Sequence, residues 1–93
     1  MKALWKNQVI AESETFESVE NNIYFPRAAL MPEFFKPSET HTTCSWKGVA
    51  SYYDVVVGTE TNKDAAWFYP TPTEAAANIK DHVAFWRGVE IQK

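Results

Sequence analysis

The sequence predicts a small, mainly β domain with a minor helical part. Its 93 residues suffice for one modest core and leave no room for a second, so we expect a single domain over residues 1–93. Short runs of β-branched and aromatic residues alternate with turn residues along most of the chain, which is typical of antiparallel strands joined by tight connections. Clear helix signals occur only near residues 73–81, where we expect one short helix.

The N-terminal part of the chain predicts a β-meander. Residues 9–11, 15–19 and 23–25 are rich in β-branched and aromatic side chains, as strands usually are. Asn21 and Asn22 stand between the last two runs and favour a hairpin turn there.

Three prolines interrupt the pattern that follows. Pro26, Pro32 and Pro37 each lack a backbone donor and oppose a continuous helix or a central strand. Residues 26–43 are therefore predicted to form a long ordered loop, with one helical turn near residues 27–31.

The strongest strand prediction covers residues 49–57, directly after Gly48. One face is predicted to be buried and consists of Val49, Ser51, Tyr53, Val55 and Val57. Gly58 ends this strand, residues 59–64 form a polar turn, and residues 65–69 form the returning arm of a hairpin.

The C-terminal part combines helix signals with strand signals. Thr71 to Glu74 supply a threonine cap, a proline or a second threonine in the first turn, and an acidic residue near the positive helix end. The alanines at 75–77 favour continuation to about Asp81. Residues 83–86 and 89–91, on either side of Gly88, predict a terminal hairpin.

Composition narrows the classes of partner. Nine Lys and Arg against twelve Asp and Glu give a net charge of −3, so no overall positive field attracts nucleic acid. The N-terminus lacks the apolar stretch of a signal peptide or membrane span. One cysteine allows no internal disulfide, and we predict a cytoplasmic protein without membrane or nucleic-acid partners.

A cluster of reactive side chains marks the candidate site. Cys44, Trp46, Lys47 and Gly48 lie within five positions, where a loop leads into a strand. Cys44 is the one candidate for a catalytic residue, because the Lys47 ammonium would favour its thiolate if a turn brings them together. The alternative is an inert thiol packed in the core.

Two cations suggest an anion site. Arg27 follows one predicted strand and Lys47 precedes another, so both are expected at the same sheet end, where they would grip a small anionic ligand. The rest of the predicted ligand-binding set is Tyr24, Tyr52, Trp67 and Cys44. In the alternative interpretation, Arg27 pairs with Glu33 or Asp54, Lys47 is solvated and the rings belong to the core.

No metal or cofactor site is predicted. Structural zinc needs four Cys or His ligands, whereas the chain contains Cys44, His41 and His82. Solitary glycines provide no phosphate loop. Whether the protein is an enzyme stays open at this stage.

Four segments together resemble the Domain of Unknown Function 427 family. They are residues 24–26, residues 43–52, residues 66–69 with Pro72, and residues 83–86. The string Thr-x-Cys-x-x-Lys-Gly-x-Ala-x-Tyr, which ends at Tyr52, carries most of the likeness, although Ser45 stands where the family usually has proline. The resemblance implies two antiparallel sheets leaning together, tent-like or as an open barrel, similar to folds that often hold zinc.

The same resemblance implies no established activity. The family is also labelled nucleotidyltransferase, but two-metal nucleotidyl transfer needs clustered carboxylates. Asp54, Asp64 and Asp81 stand far apart in the sequence, so the residues do not support that label.

Three functions remain as hypotheses. The first is a small-molecule binding domain that uses the predicted ligand-binding set. The second is a protein-interaction module or homodimer, since fourteen aromatic residues (4 Trp, 4 Tyr and 6 Phe) exceed what one small core easily hides. The third is a redox or metal-sensing role for Cys44.

Overall fold

The computed structural model describes residues 1–93 and forms two antiparallel sheets with three short 3₁₀ helices. The predicted mainly β fold of two sheets is therefore confirmed. The strands are β1 Lys2–Trp5, β2 Gln8–Glu12, β3 Glu17–Val19, β4 Asn22–Pro26, β5 Phe35–Cys44, β6 Gly48–Val57, β7 Glu60–Phe68, β8 His82–Phe85 and β9 Glu90–Gln92. The 3₁₀ helices are Arg27–Ala29, Pro32–Phe34 and Glu74–Ile79.

The strand order leaves both sheets open. The smaller sheet has the order β2-β1-β9 and the larger one β3-β4-β8-β7-β6-β5. Each ends in free edge strands, so neither sheet closes on itself. The Met31 N–H donates to the Ile10 carbonyl at 2.9 Å, and this bond ties the smaller sheet to the chain that leaves β4.

The larger sheet is buried on both faces, because consecutive strand residues point to opposite sides. The first apolar cluster lies between the two sheets and includes Ala3, Ile10, Phe25, Val55 and Val83. The second lies on the opposite face, under the C-terminal 3₁₀ helix, and includes Tyr24, Ala50, Tyr52, Tyr69, Ala76, Ile79 and Ala84.

The predicted N-terminal meander was wrong in its pairing. β1 was not predicted, and it pairs with β2 across a turn at Lys6 and Asn7. The predicted hairpin between β3 and β4 exists, but its turn is formed by Glu20 and Asn21, which have φ values of 53° and 66°. Two successive positive φ values match the right-handed twist of the flanking strands.

The long loop predicted over residues 26–43 was also wrong. A 3₁₀ turn does form at Arg27–Ala29, as expected, but β5 already begins at Phe35. Proline is tolerated there because β5 is an edge strand, whose outward side needs no donors. The register shift between Pro37 and His41 interrupts the regular pairing with β6 next to the proline.

The hairpin of β6 and β7 is confirmed, but its details differ from the prediction. Of the face predicted to be buried only Val55 is fully buried, whereas Ala50 and Tyr52 are buried on the other side and Val49 is 51% exposed. Tyr53, Val55 and Val57 all face the first apolar cluster, and the register shift between Tyr53 and Val55 places the extra residues of this irregular pair in β7. The connecting turn spans only residues 58 and 59, since β7 begins at Glu60.

The predicted terminal hairpin does not form. β8 lies between β4 and β7 in the larger sheet, whereas β9 pairs with β1 in the smaller one. Arg87 and Gly88, with φ values of 54° and 86°, redirect the chain between the sheets. The helix expected near residues 73–81 is the 3₁₀ helix Glu74–Ile79, which is interrupted by non-helical backbone at Ala76.

A buried carboxylate holds the irregular part of β7. Asp64 has a left-handed backbone (φ 55°), and its carboxylate accepts hydrogen bonds from Ser38 at 2.5 Å and Thr40 at 2.8 Å. Its N–H donates to Asp54 at 2.9 Å, and the Trp86 indole donates to its carbonyl at 2.6 Å. Asp64 thereby joins β5, β6 and the chain after β8.

We expect Asp64→Asn to lower stability most at neutral pH. The hydrogen bond from Ser38, together with Thr40 and the charge of Lys63, holds the pKa of Asp64 below its usual value although burial raises it. The ionised form therefore stabilises the fold above the unfolded pKa of about 4, and this contribution is lost as pH falls through the lower folded pKa. In urea unfolding from pH 7 down to pH 3, the difference in unfolding free energy between wild type and variant should shrink.

Asp81→Asn is the matched control for that measurement, because Asp81 has the same left-handed backbone (φ 60°) and is exposed. A deficit of Asp64→Asn that stays constant across the pH range would contradict the prediction.

Gly48→Ala should destabilise the protein more than Gly58→Ala does. Gly48 has φ 113°, and an added Cβ would lie 3.3 Å from the Thr71 carbonyl oxygen, whereas Gly58 has φ 60° and open space around it. We expect a loss of about 2 kcal/mol or more in the free energy of unfolding at Gly48 and about 1 kcal/mol at Gly58. Equal losses in chemical denaturation would show that the contact with Thr71 does not matter.

Candidate functional site

An open cavity of about 310 Å³ lies on the face of the second apolar cluster. Its wall combines aromatic rings with one cation and one amide. The lining residues are Asn22, Lys47, Tyr52, Trp67, Tyr69 and Trp86. They come from β4, β6, β7, the turn between β5 and β6, and the positions directly after β7 and β8, so the larger sheet itself forms the floor.

Backbone contacts hold Lys47 in the wall of this cavity. The turn between β5 and β6 ends at Gly48, whose positive φ lets the chain reverse. The Thr73 N–H donates to the Lys47 carbonyl at 3.1 Å, and the Thr73 hydroxyl donates to the Trp46 carbonyl. The segment that leads into the C-terminal 3₁₀ helix thus fixes the turn, and only 7% of the Lys47 side chain is exposed.

The Lys47 ammonium has one acidic partner. Its Nζ donates to Glu20 Oε1 at 2.6 Å and lies 5.4 Å and 5.5 Å from the ring centroids of Trp46 and Tyr69. Burial lowers the pKa of Lys47, but the hydrogen bond to Glu20, together with Tyr24 and Tyr69, outweighs it and raises that pKa well above its usual value. Lys47 is therefore a permanent cation at neutral pH.

Glu20 reaches Lys47 from the tip of the hairpin between β3 and β4. Its hydrogen bond to Lys47 lowers the pKa of Glu20 below the usual value, so both partners are charged at neutral pH. The two side chains differ in exposure, however, since 53% of the Glu20 side chain is exposed. One buried cation is thus neutralised by an acid that solvent can reach.

Hydrogen bonds between side chains fix the aromatic walls. The Trp67 indole donates to the Tyr24 hydroxyl at 3.1 Å, and the Tyr52 hydroxyl lies 2.9 Å from Thr42 Oγ1. The rings of Trp67 and Trp86 meet edge to face with centroids 5.6 Å apart. The cavity is therefore bounded by side chains with little freedom to rearrange.

Five of the six predicted ligand-binding residues belong to this face. Lys47, Tyr52 and Trp67 line the cavity, Tyr24 lies in the cluster beneath it, and the half-buried Cys44 packs against the same cluster. The catalytic role considered for Cys44 stays a prediction.

Arg27 lies elsewhere. It lines a second cavity of about 300 Å³ together with Tyr53, and its Nη2 donates to the Tyr53 hydroxyl at 2.6 Å. Tyr52 and Tyr53 are consecutive residues of β6 and point to opposite faces of the sheet. The structure therefore does not bring Arg27 and Lys47 together, and the expectation of one site that contains both cations was wrong.

The alternative interpretation also fails for the two cations, although its prediction that rings belong to the core is confirmed for Tyr24 and Tyr52. Arg27 forms no ion pair with Glu33 or Asp54, and Asp54 instead pairs with Lys63 at 3.3 Å. Lys47 is buried and paired, whereas that interpretation expects it in solvent.

Sequence reasoning missed several residues of the Lys47 cavity. Glu20 is 27 positions away from Lys47, so no local pattern could link the two. Trp86 was assigned to a hairpin that does not form. Tyr69 was predicted as the last residue of the returning arm of the β6–β7 hairpin, but not as a residue of the site.

The remaining candidate ligands for a metal are dispersed. The structure contains no group of three or more His, Cys, Asp and Glu side chains arranged to hold a metal ion. His41 lies 3.3 Å from the Ser51 hydroxyl and His82 lies 2.7 Å from the Lys80 carbonyl, at separate places.

None of the helices has the length and apolar character that a membrane crossing needs.

Comparison with known proteins adds a family and no activity. No curated protein matches the chain. A family model described as a domain of unknown function, DUF427, matches residues 1–92, which is nearly the whole chain. The protein therefore belongs to the Domain of Unknown Function 427 family.

Proposed function

We propose that the protein binds a small molecule with an anionic group and a flat apolar part in the cavity beside Lys47. One observation carries the proposal: a buried ammonium forms part of an aromatic-lined cavity, and the acid that pairs with it is more than half exposed. A cation in such a wall favours an anionic ligand.

The charge balance of the pair explains how a ligand would enter. A buried ammonium is costly unless an anion is beside it, and in the free protein Glu20 fills that role. A ligand carboxylate or phosphate that contacts Lys47 keeps the charge paired. Glu20 can then turn into water at little cost, because its side chain is already 53% exposed. The Glu20 carboxylate therefore competes with the anionic group of the ligand for contact with Lys47.

The remaining lining residues restrict the rest of the ligand. Trp67, Tyr69 and Trp86 present ring surfaces, and Asn22 adds one amide for hydrogen bonding. A volume of about 310 Å³ is at the small end of the range for ligand cavities, roughly 300 to 1,000 Å³. A molecule with one ring system and one anionic group suits this space.

The chemistry of the site supports binding more than catalysis. Because its pKa is raised, Lys47 stays protonated at neutral pH and serves as an electrostatic anchor instead of a general base. Cys44 packs beside the cluster and is the free cysteine of the chain. A domain with one free thiol suits a reducing compartment such as the cytoplasm.

A binding screen on three variants tests the proposal. Phenyl phosphate and nucleoside monophosphates are titrated while the melting temperature and the heat of binding are followed, since a ligand of the folded state raises the melting temperature. We expect Glu20→Gln to bind an active probe several-fold more tightly than wild type, and Lys47→Met to lose about tenfold or more. Lys47→Arg should retain part of the affinity.

Lys6→Met is the matched control, because Lys6 also pairs with a carboxylate, that of Glu60, but is 53% exposed and does not line the cavity. Circular dichroism shows whether each variant is folded. Binding that Lys47→Met leaves intact, or that Glu20→Gln weakens, would contradict the proposal.

A second candidate function is homodimerisation through the rim of the cavity. Trp46 and Trp86 are 38% and 43% exposed, and exposed indoles are common in protein interfaces. The area is small, however: a stable interface buries about 800 Å² per partner, and two partly exposed indoles supply much less.

We therefore expect sedimentation analysis to show a monomer at the concentrations used for binding. A dimer that dissociates on dilution and is weakened by Trp86→Ser would favour the second candidate instead. Phe16→Ser, which removes an equally exposed ring (40%) that does not line the cavity, is the control.

A further inference from the structure

We propose that the cavity beside Arg27 is a second binding site, which takes a small monocarboxylate with an apolar group. This cavity has a volume of about 300 Å³ and lies on the face of the larger sheet opposite Lys47. Its lining is Arg27, Leu30, Pro32, Phe35, Pro37 and Tyr53. It shares no residue with the Lys47 cavity.

Arg27 is held in a defined position at both ends. Its backbone N–H donates to the Asp81 carbonyl at 2.8 Å, and its carbonyl accepts from Leu30 at 3.2 Å. The guanidinium carbon lies 5.2 Å from the Phe68 ring centroid and 5.9 Å from that of Tyr53. Stacking on these rings orients the plane of the guanidinium, so little side-chain entropy remains to be lost on binding.

The charge of Arg27 has no acidic partner. None of the ion pairs in the structure includes this residue, and its side chain makes one hydrogen bond, to the Tyr53 hydroxyl at 2.6 Å. The other N–H groups remain available in the fork geometry that matches a carboxylate. Because the Tyr53 oxygen accepts from Arg27, its own proton is available to donate to the same ligand.

The rest of the lining selects for an apolar group. Leu30 and Phe35 offer aliphatic and aromatic surface, and Pro32 and Pro37 add rigid walls whose backbone has no N–H. One cation and one hydroxyl balance a single negative charge, so a monocarboxylate suits the site better than a phosphate dianion. The volume admits about one ring or a branched alkyl chain.

A purely structural role makes a different prediction for Arg27. If the guanidinium only covers the rings of Phe68 and Tyr53, its removal changes stability and leaves any carboxylate binding unaltered. The two roles therefore separate in a binding measurement.

The test uses phenylacetate as the probe, followed by the amide resonances of the whole protein. Phenylacetamide has nearly the same shape without the charge, and inorganic phosphate has charge without the apolar group. We expect phenylacetate to shift the signals of Leu30, Phe35 and Tyr53 in a saturable way. Both comparison molecules should bind at least about tenfold more weakly than phenylacetate.

Variants assign the binding to Arg27. Arg27→Gln should weaken phenylacetate binding about tenfold, and Arg27→Lys should recover only part of it, because an ammonium lacks the planar fork. Tyr53→Phe, which keeps the ring, should weaken it several-fold. Lys36→Gln removes an exposed cation of β5, between the lining residues Phe35 and Pro37, and should change nothing.

Lys47→Met separates this site from the proposed function, since it should leave the phenylacetate shifts at Leu30, Phe35 and Tyr53 unaltered. The inference is overturned if phenylacetate shifts none of these signals, if phenylacetamide binds equally well, or if Arg27→Gln binds like wild type while its amide spectrum shows a folded protein.

Discussion

Burial of the larger sheet on both faces is the constraint on which the rest of the structure depends. Tyr24 and Phe25 are neighbours in β4, and both are fully buried, but they belong to different apolar clusters. Val83 and Ala84 divide in the same way in β8. Because the side chains of a strand alternate between faces, each central strand contributes to two cores. The smaller sheet covers one face and the C-terminal 3₁₀ helix covers the other, and neither cover extends over the whole sheet. The two cavities lie on these opposite faces.

The two cavities share a simple design but differ in electrostatics. Each combines aromatic or apolar walls with one cation from a connection between strands. Lys47 is buried and needs an anion beside it, and the protein supplies Glu20. Arg27 is exposed and stacks on aromatic rings, so it tolerates the lack of an acidic partner. An incoming anion must therefore displace a protein carboxylate at Lys47, whereas at Arg27 it meets donors that are already free.

The polar interactions around Asp64 show how the fold tolerates irregular backbone. A left-handed residue in the middle of a strand would ordinarily leave ladder groups unpaired. Here the Asp64 carboxylate, N–H and carbonyl all find partners, and no buried side-chain donor or acceptor in the structure lacks one. The same bonds position Trp86, whose ring lines the Lys47 cavity. A structural carboxylate on one strand thus helps to shape a binding surface formed by others.

By itself, the sequence determined the local features of this protein. The mainly β class, the β3–β4 and β6–β7 hairpins and the 3₁₀ turn at Arg27–Ala29 follow from residue types and spacing within a few positions. The string that ends at Tyr52 also pointed to the family and to the surroundings of Lys47. Only the tertiary structure decided which strands share a sheet and which face each cation occupies. It also decided that β5 is an edge strand, which is why β5 tolerates Pro37. Those outcomes depend on contacts between residues far apart in the chain, such as Lys47 with Glu20, and local periodicity contains no information about them.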